Sequence, residues 1–273
     1  MNVLNRAILI ALVLIPGSVL CAECPDSNAC TSQPACVATS QTHEQTVDSV
    51  LQFLSDKAAE FKSYEGLLEY KFTQPLLEST AVRKGVLWYA RFDKRSKLRI
   101  NFETLKQDEE KEQKYVEHYI FDGLWLTQLN YQIKSARRYQ LAEPNDPADA
   151  FDVASRNIPL LGFTKPQELK KQFEIELVRQ QDANAADLIQ LHLKVKPDSI
   201  YKDDYVTLDF WMDGKSALPT KVVALSTEED IYELKFLKPK VNKGVAEKVF
   251  EFVIPRDFGE PEIVPLKKQT KDN

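Results

Sequence analysis

The chain has 273 residues, of which 43% are apolar and 28% charged, a balance typical of a soluble globular protein with one large domain or two small ones. Its 36 lysines and arginines are interleaved with 41 aspartates and glutamates, giving a net charge of −5, so no nucleic-acid partner is predicted. Only 8 glycines occur, and none are grouped as in a phosphate-binding loop, which excludes the nucleotide-binding classes that depend on one.

The first 22 residues have the features of a secretory signal peptide. Arg6 precedes an unbroken apolar run over residues 7–15, and Ala22 is a small residue suited to the position before the cleavage site. The run is too short for a membrane-spanning helix, which needs about 20 apolar residues. Lipidation at Cys21 is disfavoured because Leu20, not a small residue, precedes it. The sequence therefore predicts an exported protein.

Residues 23–42 form a leader rich in Ser, Pro, Asn, Thr, Gln and Ala, which cannot bury a core and is predicted to be flexible. Cys24, Cys30 and Cys36 are spaced by six residues within it. In an oxidising compartment two of them can form a disulfide, with the pairing left open. A zinc site is the alternative, but it is disfavoured because no C-x-x-C pair occurs and only His43 lies nearby. Lipidation at Cys24 is also disfavoured.

One folded domain is predicted over residues 43–265, followed by a charged tail over residues 266–273. Apolar residues first recur with helical spacing, which predicts an amphipathic helix of about five turns. Beyond this helix the apolar period switches to two, the spacing of strands with one buried face. The helical positions are Val47, Val50, Leu51, Leu54, Ala58 and Phe61.

About eleven strands follow, with short turns between most of them. Asp122-Gly123 predicts a tight hairpin turn, and two short helices are predicted over 146–157 and 164–171. Because strands and helices do not alternate, the fold class is α+β: an incomplete, strongly curved antiparallel β-barrel covered by the N-terminal helix and a short helical lid insertion. The strands are predicted over 64–73, 84–91, 97–102, 115–121, 124–129, 173–178, 188–195, 205–212, 220–225, 231–236 and 249–253, with a further candidate over 132–139.

Catalytic chemistry has little support in the sequence. His43, His118 and His192 have no metal-type partner nearby, so each is interpreted as a solvated or hydrogen-bonded histidine. The folded part contains no cysteine and no nucleophile motif. The charged run over residues 106–114 is interpreted as a surface loop and not as a pair of catalytic carboxylates. No enzyme activity, metal site or cofactor is predicted.

Large aromatic side chains are numerous on the predicted strand faces, which favours one of two interpretations. They form a core between the sheet and the helices, or they line a cavity in a curved sheet that holds an apolar ligand. The residues alone do not separate these alternatives. The aromatic positions are Phe72, Trp88, Phe102, Tyr119, Phe121, Trp125, Phe210 and Phe236.

The order of these parts resembles the periplasmic lipoprotein-carrier (LolA-like) family over roughly residues 44 to 265. The most specific match is YIFDGLW at residues 119–125, together with the arginine-bearing strand before it. Weaker matches are FKSYEGLLEYKFT at 61–73, GVLW at 85–88, KLRINF at 97–102, the lid-like segment at 148–162, LPT at 218–220, and FEFVIP at 250–255 with EIV at 262–264 after it.

The resemblance implies a monomeric periplasmic carrier that shields the acyl chains of a lipoprotein or related lipid on the way to the outer membrane. Its partners would be an inner-membrane release complex and an outer-membrane acceptor. By the family's motif, Arg99 would hold the lid closed. An envelope lipid or lipoprotein sensor on the same fold is the alternative. The expected cavity residues are Phe72, Trp88, Leu98, Ile100, Phe102, Tyr119, Phe121, Trp125, Val153, Ile158, Leu161, Leu208 and Phe210.

Overall fold

The computed structural model describes residues 46–92, 95–143, 166–178 and 188–266. Within these ranges the chain forms two α-helices, α1 (Val47–Ala59) and α2 (Pro166–Gln172), and one sheet of twelve strands. The strands are β1 (Ser63–Gln74), β2 (Ser79–Phe92), β3 (Arg95–Gln107), β4 (Gln113–Phe121), β5 (Trp125–Asn130), β6 (Ser135–Gln140), β7 (Phe173–Val178), β8 (Leu188–Val195), β9 (Tyr205–Asp213), β10 (Pro219–Ser226), β11 (Ile231–Val241) and β12 (Glu262–Val264).

Several sequence predictions concern residues outside the described ranges. These are the signal peptide, the leader, the first lid helix and all but the first residue of the charged tail. The site residues among them are Cys24, Cys30, Cys36, Val153, Ile158 and Leu161.

The predicted N-terminal helix is confirmed as α1. Thr46 caps it: the hydroxyl of Thr46 accepts the backbone N–H of Ser49 at 3.2 Å, and the hydroxyl of Ser49 accepts the backbone N–H of Thr46 at 3.0 Å. Val50, Leu51 and Leu54 are buried on its apolar side. With 13 residues the helix has fewer than four turns, shorter than predicted, because the last apolar position of the pattern belongs to the connection to β1.

The strands follow the order β12-β6-β5-β4-β3-β2-β1-β11-β10-β9-β8-β7. Every neighbouring pair is antiparallel except β12 and β6, which are parallel. The predicted antiparallel architecture is therefore confirmed. Strand β8 has the bounds that the sequence predicted, and most other strands extend beyond their predicted ends.

The sheet must be strongly curved. Twelve strands laid flat would span roughly 50 Å, whereas α1 is only about 20 Å long. Even so, residues from α1 and from all of the strands β1–β11 pack into one apolar core, which a flat sheet would not allow. We call the face of the sheet that points into this core the inner face and the opposite one the outer face. On β3 the inner positions are Leu98, Ile100 and Phe102.

The predicted strand over residues 249–253 is wrong. Glu247–Phe250 forms a 3-10 turn, and the chain after it crosses the outer face without pairing to a strand until β12. We call residues 242–266 the C-terminal segment. Its side chains alternate as they do in a strand because it packs flat on another surface, against Ile120, Leu129 and Ala136. The short strand β12 was not predicted as a strand, although its residues belong to the segment that matches the family.

The hairpin at Asp122-Gly123 is confirmed, but its turn is centred one residue later than predicted. The backbone N–H of Asp122 donates to the carbonyl of Trp125 at 3.3 Å, so Gly123 and Leu124 are the central residues. Gly123 has a φ of 99°, which favours glycine at the first central position. The Asp122 carboxylate also accepts the backbone N–H groups of Leu124 at 2.9 Å and Trp125 at 2.8 Å.

A bulge between β2 and β3 depends on a glycine. The pairing register shifts between Lys84 and Gly85, and one residue of β3, Glu103, is left without a partner across the pair. A Cβ atom at Gly85 would overlap the carbonyl oxygen of Asn101. The two backbones therefore approach each other more closely than any other residue type would permit.

Candidate functional site

The inner face of the sheet is the candidate binding surface. Seven of the predicted cavity residues lie there, each no more than 1% exposed, and all belong to the same apolar core as α1. Phe72 is half-buried at the margin of this core, with its ring 5.0 Å from that of Tyr232. The seven residues are Leu98, Ile100, Phe102, Tyr119, Phe121, Leu208 and Phe210.

Trp88 and Trp125 do not lie on the inner face, so their predicted place in the cavity is corrected. Trp88 alternates with Leu87 and Tyr89, which point into the core. Trp125 likewise precedes inward-facing Leu126, and the guanidinium of Arg138 lies 4.8 Å from the centre of its indole ring. Both indoles are half-buried on the outer face.

Arg99 also lies on the outer face, between inward-facing Leu98 and Ile100. Its guanidinium donates to the backbone carbonyls of Val249 at 2.8 Å and Glu251 at 2.9 Å, and to the side-chain oxygen of Asn101 at 2.8 Å. Within the described residues these contacts hold the C-terminal segment, because strand alternation turns Arg99 away from the core. The lid segment that the resemblance assigned to Arg99 lies outside the described ranges.

The C-terminal segment gives the outer face a small apolar core of its own. Phe258 packs with Ile120, Leu129 and Ala136, and its ring lies 5.0 Å from that of Tyr131. Both faces of β4–β6 are therefore covered. This double coverage explains why large apolar residues occur at both parities of these strands.

At one end of the inner face the apolar surface gives way to a buried polar network that the sequence analysis did not identify. Glu117 on β4 is 2% exposed. Its carboxylate accepts from Arg83 at 3.1 Å, from the amide nitrogen of Gln128 at 2.8 Å and from that of Asn130 at 3.5 Å. The same Gln128 nitrogen donates to the hydroxyl of Tyr119 at 3.1 Å. The network thus adjoins the apolar core directly.

The surroundings of Arg83 keep its guanidinium charged. Burial alone would lower the pKa of Arg83, but the Glu117 carboxylate together with the nearby tyrosines raises it by more, so the pKa of Arg83 is raised. Burial, reinforced by Glu117, holds the pKa of Tyr119 well above its usual value, so its hydroxyl stays protonated. The sequence contained one signal for the burial of Glu117: it is two and four residues from Tyr119 and Phe121, so all three lie on the same face of the strand.

A cavity of about 290 Å³ opens beside the network, and Gln128 and Asn130 line both. Ser135 and Arg137 face it from β6, and Glu262 faces it from β12. Arg137 and Glu262 form an ion pair of 2.6 Å. These side chains take inner positions of β5, β6 and β12, whereas Ala136 and Phe258 line the cavity from the outer-face cluster. The cavity therefore lies at the edge of the sheet, and its Gln128 side borders the inner face.

Two tyrosine hydroxyls point into the apolar core without a hydrogen-bond partner among the described residues. They belong to Tyr64 and Tyr205, which are 3% and 2% exposed. Burial raises the pKa of both phenols, so they remain neutral donors. Unpaired buried hydroxyls are costly, and a ligand oxygen on the inner face would give them a partner.

The histidines in the described ranges have structural surroundings. The Nδ1 atom of His192 lies 2.8 Å from the carboxylate of Asp209 on the outer face. His118 lies on the outer face and packs edge-on against Tyr131, whose ring in turn packs against Phe258. Burial, with a smaller contribution from Arg99, lowers the pKa of His118 to about 4.

Within the described ranges no group of three His, Cys, Asp or Glu side chains is placed to hold a metal ion, and no helix is long and apolar enough to cross a membrane.

Comparisons with known proteins identify similar structures but no similar sequences. No protein-family model matches the chain, and no curated protein is detectably similar to it in sequence. One similar solved structure is a putative outer membrane lipoprotein-sorting protein domain from Vibrio parahaemolyticus. That domain is 11% identical, with a TM-score of 0.38, over 74% of this chain and 94% of the other.

Two further solved structures illustrate the range of similar proteins. An uncharacterized conserved protein from Thermus thermophilus is 8% identical, with a TM-score of 0.47, over 81% of this chain and all of the other. The MucA/MucB complex of Pseudomonas aeruginosa contains a chain that is 13% identical, with a TM-score of 0.41, over 75% of this chain. This chain spans 60% of the length of that one. Such likeness concerns the path of the chain and not its activity.

Proposed function

We propose that this protein is a periplasmic carrier that binds the acyl chains of lipoproteins or related lipids on its inner face and moves them towards the outer membrane. The observation that carries the proposal is one continuous apolar face across the curved sheet. Among the described residues, only α1 and α2 contribute helices to its cover. A carrier needs no catalytic group, because each buried methylene of an acyl chain contributes about 0.8 kcal/mol.

The inner face also has the polar groups that such a ligand requires. The ester and amide oxygens at the head of an acyl chain need hydrogen-bond donors when they leave water. The unpaired hydroxyls of Tyr64 and Tyr205 are donors within the apolar core. The network around Glu117 supplies further polar atoms at the end of the same face.

The remaining parts of the chain have roles in this proposal. Cleavage after residue 22 releases the carrier into the periplasm, and residues 23–42 form a leader ahead of the carrier domain at 43–265. The predicted lid insertion contributes Val153, Ile158 and Leu161 to binding of the acyl chains. The carrier works as a monomer that receives cargo from an inner-membrane release complex and delivers it to an outer-membrane acceptor.

Photo-crosslinking tests where an acyl chain binds. Palmitate carrying a terminal diazirine is bound, illuminated, and located by peptide mass spectrometry. We expect crosslinks at inner positions such as Ile100 and Phe210 and none at Trp211, the neighbour of Phe210 on the outer face. Crosslinks spread equally over Phe210 and Trp211 would contradict the proposal.

A pair of adjacent substitutions on β10 gives an independent test. Ala224 is 3% exposed on the inner face, whereas Val223 lies on the outer face. Ala224→Trp fills space on the inner face and should weaken palmitate binding at least tenfold. Val223→Trp adds the same indole outside and should leave binding unchanged. Equal effects of the two variants would argue against an inner-face site.

The cargo is identified by native mass spectrometry of the protein purified from its own periplasm, followed by organic extraction. A co-purifying acylated protein or phospholipid supports the carrier. An empty protein that instead captures one stoichiometric protein partner would overturn the carrier and favour the envelope sensor.

A further inference from the structure

We infer that the cavity beside Gln128 binds the peptide main chain that follows the acylated residue of the cargo. The inference rests on the proposed carrier function, because it assigns the polar part of the same ligand. It starts from the charges around the cavity, which are already paired. Arg83 is bound to Glu117 at 3.1 Å, and Arg137 is bound to Glu262 at 2.6 Å. A phosphate or free carboxylate would have to displace a glutamate, so a neutral ligand fits better.

The side chains around the cavity offer both hydrogen-bond donors and acceptors. Within the described residues, the side-chain oxygen of Gln128 and the hydroxyl of Ser135 have no hydrogen-bond partner, whereas Arg137 interacts with both Glu262 and Tyr139. The cavity therefore presents an acceptor and a hydroxyl that can donate or accept. Asn130 is already occupied, because its side-chain oxygen accepts the backbone N–H groups of residues 132 and 133. Alternating donors and acceptors are what a peptide main chain offers.

The cavity also lies where an acyl chain on the inner face would end. Tyr119 connects the two regions: its hydroxyl accepts from Gln128 at 3.1 Å, while its ring packs edge-on against Phe102 at 6.3 Å. At about 290 Å³ the cavity has room for about ten water molecules at ~30 Å³ each. A short stretch of main chain fits this space, and the rest of the cargo protein would extend into solvent.

The test compares three probes that share one acyl chain and are titrated by calorimetry. The probes are N-palmitoyl-Gly-Ser-Ser-Ala amide, palmitamide and 1-palmitoylglycerol. We expect the wild-type protein to bind the lipopeptide at least fivefold more tightly than palmitamide, about the effect of one neutral hydrogen bond. Gln128→Ala and Ser135→Ala should each reduce this preference towards one, and Ser135→Ala should also leave palmitamide affinity unchanged. Gln113→Ala, which removes an exposed amide outside the cavity, should keep it.

The outcomes separate the inference from the proposed function. Equal affinity of the wild-type protein for lipopeptide and palmitamide would overturn the peptide subsite alone. An equal advantage for 1-palmitoylglycerol would overturn it in favour of a polyol head group. Failure of all three probes to bind would overturn the carrier proposal and, with it, this inference. A preference that survives both Gln128→Ala and Ser135→Ala would place the peptide elsewhere.

Discussion

Replacing Arg83 by methionine tests whether the polar network is as deeply buried as its geometry indicates. The substitution keeps most of the side-chain volume and removes the charge, leaving the Glu117 carboxylate with a side chain 3% exposed. Two unit charges about 4 Å apart interact by about 4 kcal/mol at an effective dielectric constant of 20. The amides of Gln128 and Asn130 still solvate the carboxylate. We therefore expect a loss of about 3 kcal/mol in unfolding free energy.

The reverse substitution should cost less. Glu117→Gln leaves Arg83, whose side chain is 25% exposed and can be solvated by water, so a loss of about 1 to 2 kcal/mol is expected. Replacing both partners, as Arg83→Met with Glu117→Leu, removes the uncompensated charge. The double variant should therefore be more stable than Arg83→Met alone.

Urea denaturation followed by circular dichroism measures these differences, and about 3 kcal/mol corresponds to a midpoint shift of about 1 to 2 M. The matched control is the adjacent Lys84, which pairs with Glu112 at the same 3.1 Å but is 49% exposed, with its partner 39% exposed. Lys84→Met should leave the midpoint within error. If Lys84→Met and Arg83→Met shift the midpoint equally, or if the double variant loses the sum of the two single losses, the buried-pair reasoning is wrong.

Three further predictions concern the bulge and the outer face. Gly85→Ala should cost about 3 kcal/mol or more in thermal unfolding, because the new Cβ would overlap the backbone carbonyl of Asn101; a melting temperature equal to wild type would exclude the close approach. The pKa of His118 is lowered to about 4 in the folded protein, against 6.5 for an ordinary histidine. Its contribution to stability is therefore complete above a pH of about 6.5 and is lost as pH falls towards 4, by about 1 to 3 kcal/mol after allowance for partial exposure. His118→Gln should flatten the stability profile over this interval, and an unchanged slope would show that the ring is solvated. Arg99→Met removes the hydrogen bonds to the carbonyls of Val249 and Glu251, so amide exchange in the C-terminal segment should accelerate at least tenfold while inner-face strands keep their protection; acceleration throughout the sheet would mean global destabilisation instead.

Local sequence patterns were sufficient to predict an element where one of its faces is buried and the other is exposed to solvent. Strand β8 was predicted with its observed bounds because Ile189, Leu191 and Leu193 alternate with polar residues. The same alternation placed Leu98 and Ile100 together on the inner face. Sequence periodicity shows which residues are buried away from water. In these strands the apolar residues occupy a single face, so only one orientation of the strand buries them.

The pattern failed where a second layer covers the outer face. Trp88 and Trp125 are large and apolar, as the inner residues are, because the outer face of the sheet also carries packed side chains. Alternation then shows that two faces exist but not which of them points inward. The C-terminal segment has strand-like alternation for a similar reason, since it lies flat on β4–β6 without joining the sheet there.

The polar network was beyond sequence reasoning because its members come from three strands. Arg83, Glu117 and Gln128 are separated by 34 and 11 residues along the chain, and each one alone resembles a solvated surface side chain. Only the register of β2 through β5 brings them within hydrogen-bond distance. The sequence by itself determined the fold class and the apolar inner face, because these follow from local periodicity. Tertiary structure alone decided which aromatics face inward, what Arg99 holds, and where buried charges meet, because these depend on which strands become neighbours and on what covers each face.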